Sequence, residues 1–187
     1  MRRAIFGGTF DPIHRAHLVL AREAADAFAL DEVLFIPAAN PPHKHAGTSY
    51  EDRFRMVELA CAEDRRFVAS RLEAPSNDGP AKSYSILTIE KVKALGGQVF
   101  FVIGADAFAE ISTWYRAADV IRSVEFIVVT RPGHLYASPE GAMVHRLETV
   151  ALPVSSSEIR AELARGVVPE ELPVGVAGYS RERGLYR

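Results

Sequence analysis

The sequence predicts an α/β fold, a Rossmann-like doubly wound parallel sheet followed by a small helical portion at about 154–187. Short apolar runs without charged residues alternate along the chain with longer patterns of helical periodicity. The runs are continuously apolar rather than alternating, which is typical of strands that helices cover on both faces. Three of the four runs lead directly into Gly or Pro, as strands that enter turns do.

Length and charge narrow the class of protein. The chain has 187 residues with 22 basic and 24 acidic side chains, so its formal charge is −2. This balance argues against a protein that coats nucleic acid, because such proteins need clustered Lys and Arg to neutralise phosphates. Hydrophobic residues make up 48% of the chain, which is enough for a core. We expect a single domain over 1–187.

The four apolar runs predict strands at 4–6, 33–36, 99–103 and 126–129. In a doubly wound sheet, ligands bind beyond the carboxyl ends of the strands. The candidate binding segments are therefore those that directly follow a strand, namely 7–17, 37–45, 104–114 and 130–133.

Helices are predicted between and after the strands. Apolar residues at spacings of three and four favour helices near 18–28 and 50–61, and a third near 84–95 stops at two glycines. The pairs Ser49/Asp52 and Ser155/Glu158 have the spacing of capping boxes, so they mark helix N-termini. The helix after Ser155 is expected to end at 166.

The cellular compartment is inferred from the single cysteine and from the short apolar run at the N-terminus. Cys61 is the single cysteine, so it cannot form an internal disulfide, and its helical surroundings predict a small buried apolar residue. The N-terminal sequence MRRAIFGGTF is too briefly apolar for a signal peptide or a membrane span. We expect a cytoplasmic protein with no membrane partner.

The most informative segment is GGTFDPIHRAH at 7–17, between a predicted strand and a predicted helix. Two glycines let the backbone pass close to a ligand, and a helix N-terminus attracts anions, so a phosphate site is expected. The segment matches neither G-x-x-x-x-G-K-[ST] nor G-x-G-x-x-G. His14 and His17 would project from one helix face beside that phosphate and stabilise developing charge. The structural alternative is a capping histidine and a partly buried packing histidine.

This segment resembles the signature of the H-x-G-H nucleotidylyltransferases, and the longer similarity is to the bacterial nicotinate mononucleotide adenylyltransferase family. The resemblance covers nearly the whole chain through FIPAANPPHK at 35–44, KSYSILTIE at 82–90, FVIGADAF at 101–108, TWYRAADVI at 113–121, VSSSEIR at 154–160 and GLY at 184–186. One position departs from the signature, because Ala16 replaces its glycine. A helical backbone suits alanine, so we expect a small adjustment only.

The resemblance implies a reaction in which the 5′-phosphate of nicotinate mononucleotide attacks the α-phosphorus of ATP and expels pyrophosphate. The second pKa of a phosphate monoester is about 6, so the nucleophile is already an anion and needs no general base. Mg²⁺ would be held chiefly by phosphate oxygens and water. The partners are then the two small-molecule substrates, and the sequence leaves open whether the chain forms a homo-oligomer.

The resemblance also assigns roles to residues. The catalytic groups are His14, His17, Lys44 and Arg160. ATP would be bound by both histidines together with Gly7, Gly8, Thr9, Phe10, Gly104, Asp106, Ser156, Ser157 and Arg160. The nicotinate nucleotide would be bound by Asn40, Lys44, Ser85, Trp114 and Tyr115, with the Trp114 ring against the pyridine and backbone amides near Ser85 and Tyr115 receiving the carboxylate.

Simpler interpretations of individual residues stay open. Lys44 could be a solvated surface charge, Trp114 could pack in the core, and Asp106 could fix its turn. Asp11 could act through water or only shape the turn before Pro12.

Three other functions compete with the favoured one. Phosphopantetheine adenylyltransferases share the GGTFDP-like opening but do not account for PPHK, the Trp114 segment and the closing GLY together. A metal-dependent hydrolase could use His14, His17, His43 and His45 as ligands, although no carboxylate obviously completes that set. A nucleotide-binding sensor without activity would bind ATP and release no pyrophosphate.

Overall fold

The computed structural model describes residues 1–40, 46–75, 82–150 and 153–187. Its six strands form one sheet in the order β3-β2-β1-β4-β5-β6, and every neighbouring pair is parallel. The strands are β1 (Arg2–Gly8), β2 (Glu32–Pro37), β3 (Phe67–Ala69), β4 (Gln98–Gly104), β5 (Glu125–Thr130) and β6 (Met143–Glu148). The four predicted strands are the four central ones, so the predicted α/β class is confirmed.

The sequence analysis missed the two edge strands. β3 has only three residues, and β6 reads MVHRLE, in which charged residues interrupt the apolar ones. An edge strand has a partner on one side only and tolerates polar side chains, so neither segment forms the uncharged run that identifies a central strand.

Seven helices and one 3₁₀ turn are found in the described part of the chain. They are α1 (Arg15–Ala27), α2 (Tyr50–Cys61), α3 (Ser85–Ala94), α4 (Ala105–Ala109), the 3₁₀ turn Ile111–Thr113, α5 (Ala117–Ser123), α6 (Ser156–Ala164) and α7 (Val174–Glu182). Both predicted capping boxes mark helix starts, since the hydroxyls of Ser49 and Ser155 accept the amides of Asp52 and Glu158. None of the described helices has the length and apolar character needed to cross a membrane.

Two hydrophobic layers enclose the sheet, as continuously apolar strands require. Successive residues of β1 divide between them, with Ala4 and Phe6 in one layer and Ile5 in the other. The first layer packs against α1, α2, α6 and α7, and the second packs against α3, α4 and α5. Cys61 is buried in the first layer, as predicted, and burial raises the pKa of its thiol to about 12.

Candidate active site

A crevice opens between the two central strands at their carboxyl ends. β1 pairs with β4 only as far as Ile5 and Phe101. Beyond that point β1 continues beside β2 to Gly8, and β4 continues beside β5 to Gly104. The two strands therefore separate over their final residues, at the point where the strand order reverses direction. Ligands of doubly wound sheets bind at such a switch point.

Glycines line this crevice for two different reasons. Gly7 and Gly104 are exposed, and no heavy atom lies within 4 Å of the position a Cβ would take at either residue. They leave open space at the ends of β1 and β4. Gly8 is different, because a Cβ there would stand 2.9 Å from the Phe10 ring. Gly8 is therefore required by packing within the protein, whereas Gly7 and Gly104 keep the crevice clear.

The turn after β1 is held by the side chain of Phe10. Its φ of 48° lies in the left-handed region, which is strained for a residue other than glycine. The ring is 2% exposed and packs edge-on against Phe6 and His17, at centroid distances of 6.0 and 5.1 Å. Burial of the ring offsets the backbone strain. The turn places His14 at the start of α1.

His14 and His17 form a stacked pair at the N-terminus of α1. The ring centroids lie 3.8 Å apart with 31° between the planes. The His14 amide donates to Nδ1 of His17 at 3.2 Å, so a neutral His17 carries its proton on Nε2. His14 is 5% exposed, and burial lowers its pKa to about 4, so its ring is uncharged at neutral pH. Its Nδ1 is buried and has no hydrogen-bond partner within the described ranges.

The first turn of α6 lies against this segment, which places both helix N-termini together. Ser156 donates from Oγ to the carbonyl of Pro12 at 2.9 Å. Arg160 donates from Nη1 to the carbonyl of Asp11 at 2.8 Å and from Nη2 to Ser157 Oγ at 3.3 Å. Segments far apart along the chain therefore meet here, and the start of α6 brings one cation, Arg160, and one carboxylate, Glu158, which caps its own helix.

The Asp11 carboxylate is buried and hydrogen-bonded within the protein. Its side chain is 4% exposed, and Oδ2 accepts the amide of Gly47 at 2.9 Å while Oδ1 accepts the hydroxyl of Tyr186 at 2.7 Å. The interpretation through water has no support in these contacts. Asp11 shapes the turn, and it also ties the turn to two distant segments.

Arg53 is a residue of this region that the sequence analysis missed. It lies in α2, is 1% exposed, and donates to the carbonyls of Thr9, Ala38 and Thr48. A signal for it exists in the sequence. Arg53 stands three residues after Tyr50 and four before Val57, so it occupies the buried stripe of an amphipathic helix, where a charged residue needs a specific reason.

Aromatic rings pack against the second hydrophobic layer, on the face of the sheet opposite to the His14 and His17 layer. Trp114 is half-buried and packs edge-on against Phe101 at 6.1 Å, so it does not have the full burial of a core tryptophan. Tyr115 is 53% exposed and stacks on Tyr84 at 4.4 Å. Tyr84 is also the N-cap of α3 but makes no side-chain cap hydrogen bond. Ser85, the first residue of α3, therefore lies beside exposed aromatic surface.

Ser83 connects this side to the segment that follows β2. Its Oγ accepts the amides of Ala39 and Asn40 at 3.1 and 3.3 Å, and its own amide donates to the Asn40 carbonyl at 3.1 Å. Glu73 accepts hydrogen bonds from the hydroxyls of Ser83 and Thr88. Burial raises the pKa of the Glu73 carboxyl. Ser83 and Glu73 were not predicted, whereas Asn40 was.

Three further predictions concern Asp106, Ala16 and Lys44. Asp106 lies in the first turn of α4 with a fully exposed side chain, 4.0 Å from Nε2 of His134. Ala16 is helical and buried in α1, as expected for its methyl group. Lys44, His43 and His45 lie outside the described residues, so Lys44 stays a prediction.

The described ranges contain no group of three His, Cys, Asp or Glu side chains that could hold a metal ion. His14 and His17 stack on each other, and Nδ1 of His17 is engaged by a backbone amide. This part of the chain therefore offers no preformed metal cage of the kind that a His-ligated hydrolase needs.

Comparisons with known proteins identify the family of this chain. The cytidylyltransferase-like family matches residues 5–162. A protein of Solibacter usitatus named a probable nicotinate-nucleotide adenylyltransferase is 58% identical over 191 residues, covering 100% of both chains. A protein of the same name from Thermus thermophilus is 41% identical over 191 residues, again with 100% coverage of each chain.

A solved structure shares the fold. The nicotinic acid mononucleotide adenylyltransferase of Plasmodium falciparum, complexed with NaAD, superposes with a TM-score of 0.78 and 19% identity, covering 99% of this chain and 97% of that one. At this identity the likeness supports the architecture alone, and the two bacterial relatives carry the assignment. The chain thus belongs to the cytidylyltransferase-like family and, within it, to the nicotinate-nucleotide adenylyltransferases.

Proposed function

We propose that this protein transfers AMP from ATP to nicotinate mononucleotide, forming nicotinate adenine dinucleotide and pyrophosphate. The observation that carries the proposal is the stacked pair His14 and His17 beside the open end of β1, in a chain 58% identical to a relative named for this activity. The helix N-termini there suit a triphosphate, and the aromatic rings opposite suit a flat base.

The chemistry is an in-line displacement at the α-phosphorus. An oxygen of the 5′-phosphate of nicotinate mononucleotide forms a bond to that phosphorus, while the bond to the bridging oxygen of the β-phosphate breaks and its electron pair leaves with pyrophosphate. The attacking oxygen is already negatively charged at neutral pH, so no proton has to be removed. The protein therefore has to align two anions and stabilise their charge.

Stabilisation of the triphosphate is assigned to the turn after β1 and to α6. Gly7 and Gly104 leave room for the nucleotide, and the amides of Gly8, Thr9 and Phe10 are assigned to the phosphates. His17 donates from Nε2 to an oxygen of the reacting phosphate, because Nδ1 is occupied by the His14 amide. His14 lies beside it, and Ser156, Ser157 and Arg160 close the site from α6. Asp106 at the rim serves the ATP ribose.

The nicotinate nucleotide occupies the opposite side of the crevice. The pyridine ring stacks on Trp114, and backbone amides near Ser85 and Tyr115 receive the carboxylate. Asn40, and Lys44 by its sequence match, serve the phosphate of this nucleotide. Amide donors favour a carboxylate over a carboxamide, since the amide presents N–H where an acceptor is needed.

A divalent ion fits this site as part of the ATP complex. Both carboxylate oxygens of Asp11 are occupied by internal donors, so the turn presents no free acidic ligand of its own. We assign Mg²⁺, which phosphate oxygens and water would hold and which would supply charge neutralisation for the leaving pyrophosphate.

The deciding experiment measures pyrophosphate release with ATP and Mg²⁺ in parallel reactions with nicotinate mononucleotide, nicotinamide mononucleotide and phosphopantetheine. We expect the nicotinate form to be preferred over the nicotinamide form at least tenfold in kcat/KM, about 1.4 kcal/mol. Preference for the nicotinamide form would refute the specificity. Release that depends on phosphopantetheine would support the related transferase, and ATP binding without any release would support a sensor.

A further inference from the structure

Ser83 joins two segments that the proposed function gives to opposite ends of the nicotinate nucleotide. Asn40, which follows β2, is assigned to its phosphate, and backbone amides near Ser85, at the start of α3, are assigned to its carboxylate. Ser83 lies two residues before Ser85 and contacts the backbone of Asn40. The distance between the groups that hold the two ends of this substrate therefore depends on Ser83.

Three hydrogen bonds hold the backbone at Asn40 against Ser83. The Ser83 hydroxyl oxygen accepts the amides of Ala39 at 3.1 Å and Asn40 at 3.3 Å, and the Ser83 amide donates to the carbonyl of Asn40 at 3.1 Å. The backbone of Asn40 is therefore held through both its amide and its carbonyl. The preceding residue, Ala38, is fixed to the end of β1, because its amide donates to the carbonyl of Gly8 at 2.9 Å.

The carboxylate of Glu73 determines how the Ser83 hydroxyl is oriented. A serine hydroxyl has one proton to donate and two lone pairs that accept. Both lone pairs of Ser83 are engaged by backbone amides, so its proton is left for another acceptor, and Glu73 is that acceptor. Thr88 of α3 donates to Oε1 of the same carboxylate. Glu73 therefore holds Ser83 in the orientation that serves both amides.

The environment of Glu73 disfavours its charged form. Burial raises the pKa of its carboxyl, and the hydroxyls of Thr88 and Ser83 and the charge of Lys91 act in the opposite direction. A charged group inside a protein is weak evidence for stability, because an apolar side chain of similar volume is often as stabilising. The contacts of Glu73 instead explain it as the group that orients Ser83.

We propose that Glu73 and Ser83 are positioning residues that hold Asn40 at a fixed distance from the amides at the start of α3, so that both ends of nicotinate mononucleotide are bound together. The inference rests on the proposed function. A ligand that must reach donors at both of its ends binds more tightly when those donors are correctly spaced before it arrives. Because ATP is assigned to other residues, the network sets the affinity for the nicotinate nucleotide alone.

Steady-state kinetics on Ser83→Ala and Glu73→Met test this assignment. Ser83→Ala removes the oxygen that accepts both amides, and Glu73→Met keeps a side chain of similar length without a carboxylate. In each variant we expect the KM for nicotinate mononucleotide to rise about tenfold, about 1.4 kcal/mol, while kcat and the KM for ATP stay within about twofold of wild type. Calorimetric titration measures the dissociation constant of the same nucleotide without turnover.

Three further variants separate positioning from structural support. Ser180→Ala is the matched control, since it also removes a buried serine hydroxyl, bonded at 3.1 Å to the carbonyl of Ala177 within α7, and it should keep both wild-type KM values. Glu73→Gln keeps one acceptor oxygen for Ser83 and should recover most of the affinity lost in Glu73→Met. The double variant Ser83→Ala with Glu73→Met should lose no more affinity than Ser83→Ala alone, because Glu73 acts through Ser83.

The outcomes distinguish this inference from the function on which it rests. If the wild-type protein is active and the KM for nicotinate mononucleotide is unchanged in both Ser83→Ala and Glu73→Met, the positioning role alone is overturned. Additive losses in the double variant, or a joint rise of both KM values with a lower Tm, would do the same, since the network would then be structural only. If Ser83→Ala fails to fold, the difference between Glu73→Met and Glu73→Gln decides. A wild-type protein that releases no pyrophosphate with nicotinate mononucleotide would overturn the proposed function instead.

Discussion

The two sides of the crevice are built in different ways. On the side assigned to ATP, the turn at 9–14 is almost fully buried, and Asp11 and His14 are 4% and 5% exposed. Hydrogen bonds from α2, α6 and Tyr186 fix its backbone and carboxylate. On the side assigned to the pyridine, Tyr115 is 53% exposed and Trp114 half-buried, and each of these rings packs against another ring.

This difference matches what charge stabilisation and ring stacking each require of a site. Stabilising charge in a transition state requires donors that are fixed before the reaction begins, and buried hydrogen bonds provide that. Stacking on a flat ring tolerates small shifts, because every aromatic face is attractive over a range of offsets. Changes on the ATP side should therefore reduce turnover, and changes on the pyridine side should reduce affinity.

The largest effect is expected for His17→Ala. This variant removes the Nε2 donor that is assigned to the reacting phosphate, so kcat should fall by about 10²–10³ or more, as for loss of an oxyanion donor. Steady-state pyrophosphate release measures the change. Because the His17 ring also packs against Phe10, thermal unfolding shows whether the fold is retained.

A matched control exists on the far edge of the sheet. His145 in β6 pairs with Glu125 at 2.7 Å, and glutamine can replace that hydrogen bond. His145→Gln should leave turnover unchanged. If His17→Ala retains near-normal turnover while the control behaves as expected, the role given to His17 is wrong.

The next effect is expected for Trp114→Ala, on the pyridine side. Loss of a stacking partner costs about 1–3 kcal/mol per base, so the KM for nicotinate mononucleotide should rise roughly 5- to 150-fold. The KM for ATP should stay close to the wild-type value. Trp114→Phe keeps a stacking face and should recover most of the affinity.

If the KM for nicotinate mononucleotide is unchanged in Trp114→Ala, this residue only packs against Phe101 and does not bind the pyridine. A fall in kcat without a change in KM would contradict the contrast between the two sides, because the pyridine side would then act on turnover.

The same contrast explains what could be predicted from the sequence. The turn at 7–17 is local, and its glycines and histidines lie close together along the chain. The central strands were also predicted, since burial on both faces leaves a simple apolar run. The capping boxes at Ser49 and Ser155 were found because capping depends on residues only three positions apart.

Long-range contacts could not be predicted in this way. The bonds from Arg53 to Thr9 and from Tyr186 to Asp11 join residues 44 and 175 positions apart, and no spacing rule connects them. Glu73 and Ser83 were missed for the same reason. A resemblance to a family could indicate which segments matter, but it could not indicate that Gly47 and Tyr186 occupy the carboxylate of Asp11.

The third prediction compares two adjacent glycines of the ATP side. Gly8→Ala forces a methyl group to 2.9 Å from the Phe10 ring, so the free energy of unfolding should fall by about 1–3 kcal/mol, as in overpacked cores. Gly7→Ala meets no neighbour within 4 Å and should leave stability nearly unchanged, but its methyl group enters the space assigned to ATP and should raise the KM for ATP. Urea unfolding and steady-state kinetics on both variants test the pair.

The opposite pattern would contradict this account of the crevice. If Gly7→Ala binds ATP normally, the open space at the end of β1 does not receive the nucleotide. If Gly8→Ala is as stable as the wild type, the Phe10 ring is free to move, and the ATP side is less rigid than its burial indicates.

The smallest predicted effect is proton uptake by His14 when ATP binds. Burial lowers the pKa of His14 from 6.5 to about 4, so the free protein keeps this ring neutral where an unfolded chain would protonate it. His14 therefore reduces stability as pH falls from 6.5 toward 4. A bound triphosphate adds negative charge beside the ring and should raise its pKa again, so ATP binding near about pH 5.5 should take up a fraction of one proton. Calorimetry in two buffers of different ionisation enthalpy measures that uptake.

His14→Gln supplies the control, because ATP itself also exchanges protons in this range and only the difference between the two proteins belongs to His14. We expect the wild-type protein to take up more protons than the variant at acidic pH. At about pH 8 both proteins should take up the same number, because the His14 ring titrates in neither the free nor the ATP-bound wild-type protein there. Equal uptake at both pH values would mean that the ring lies too far from the triphosphate to sense its charge. The rigid ATP side would then support the phosphates through its backbone amides and through His17, and the burial of His14 would serve only to position that neighbour.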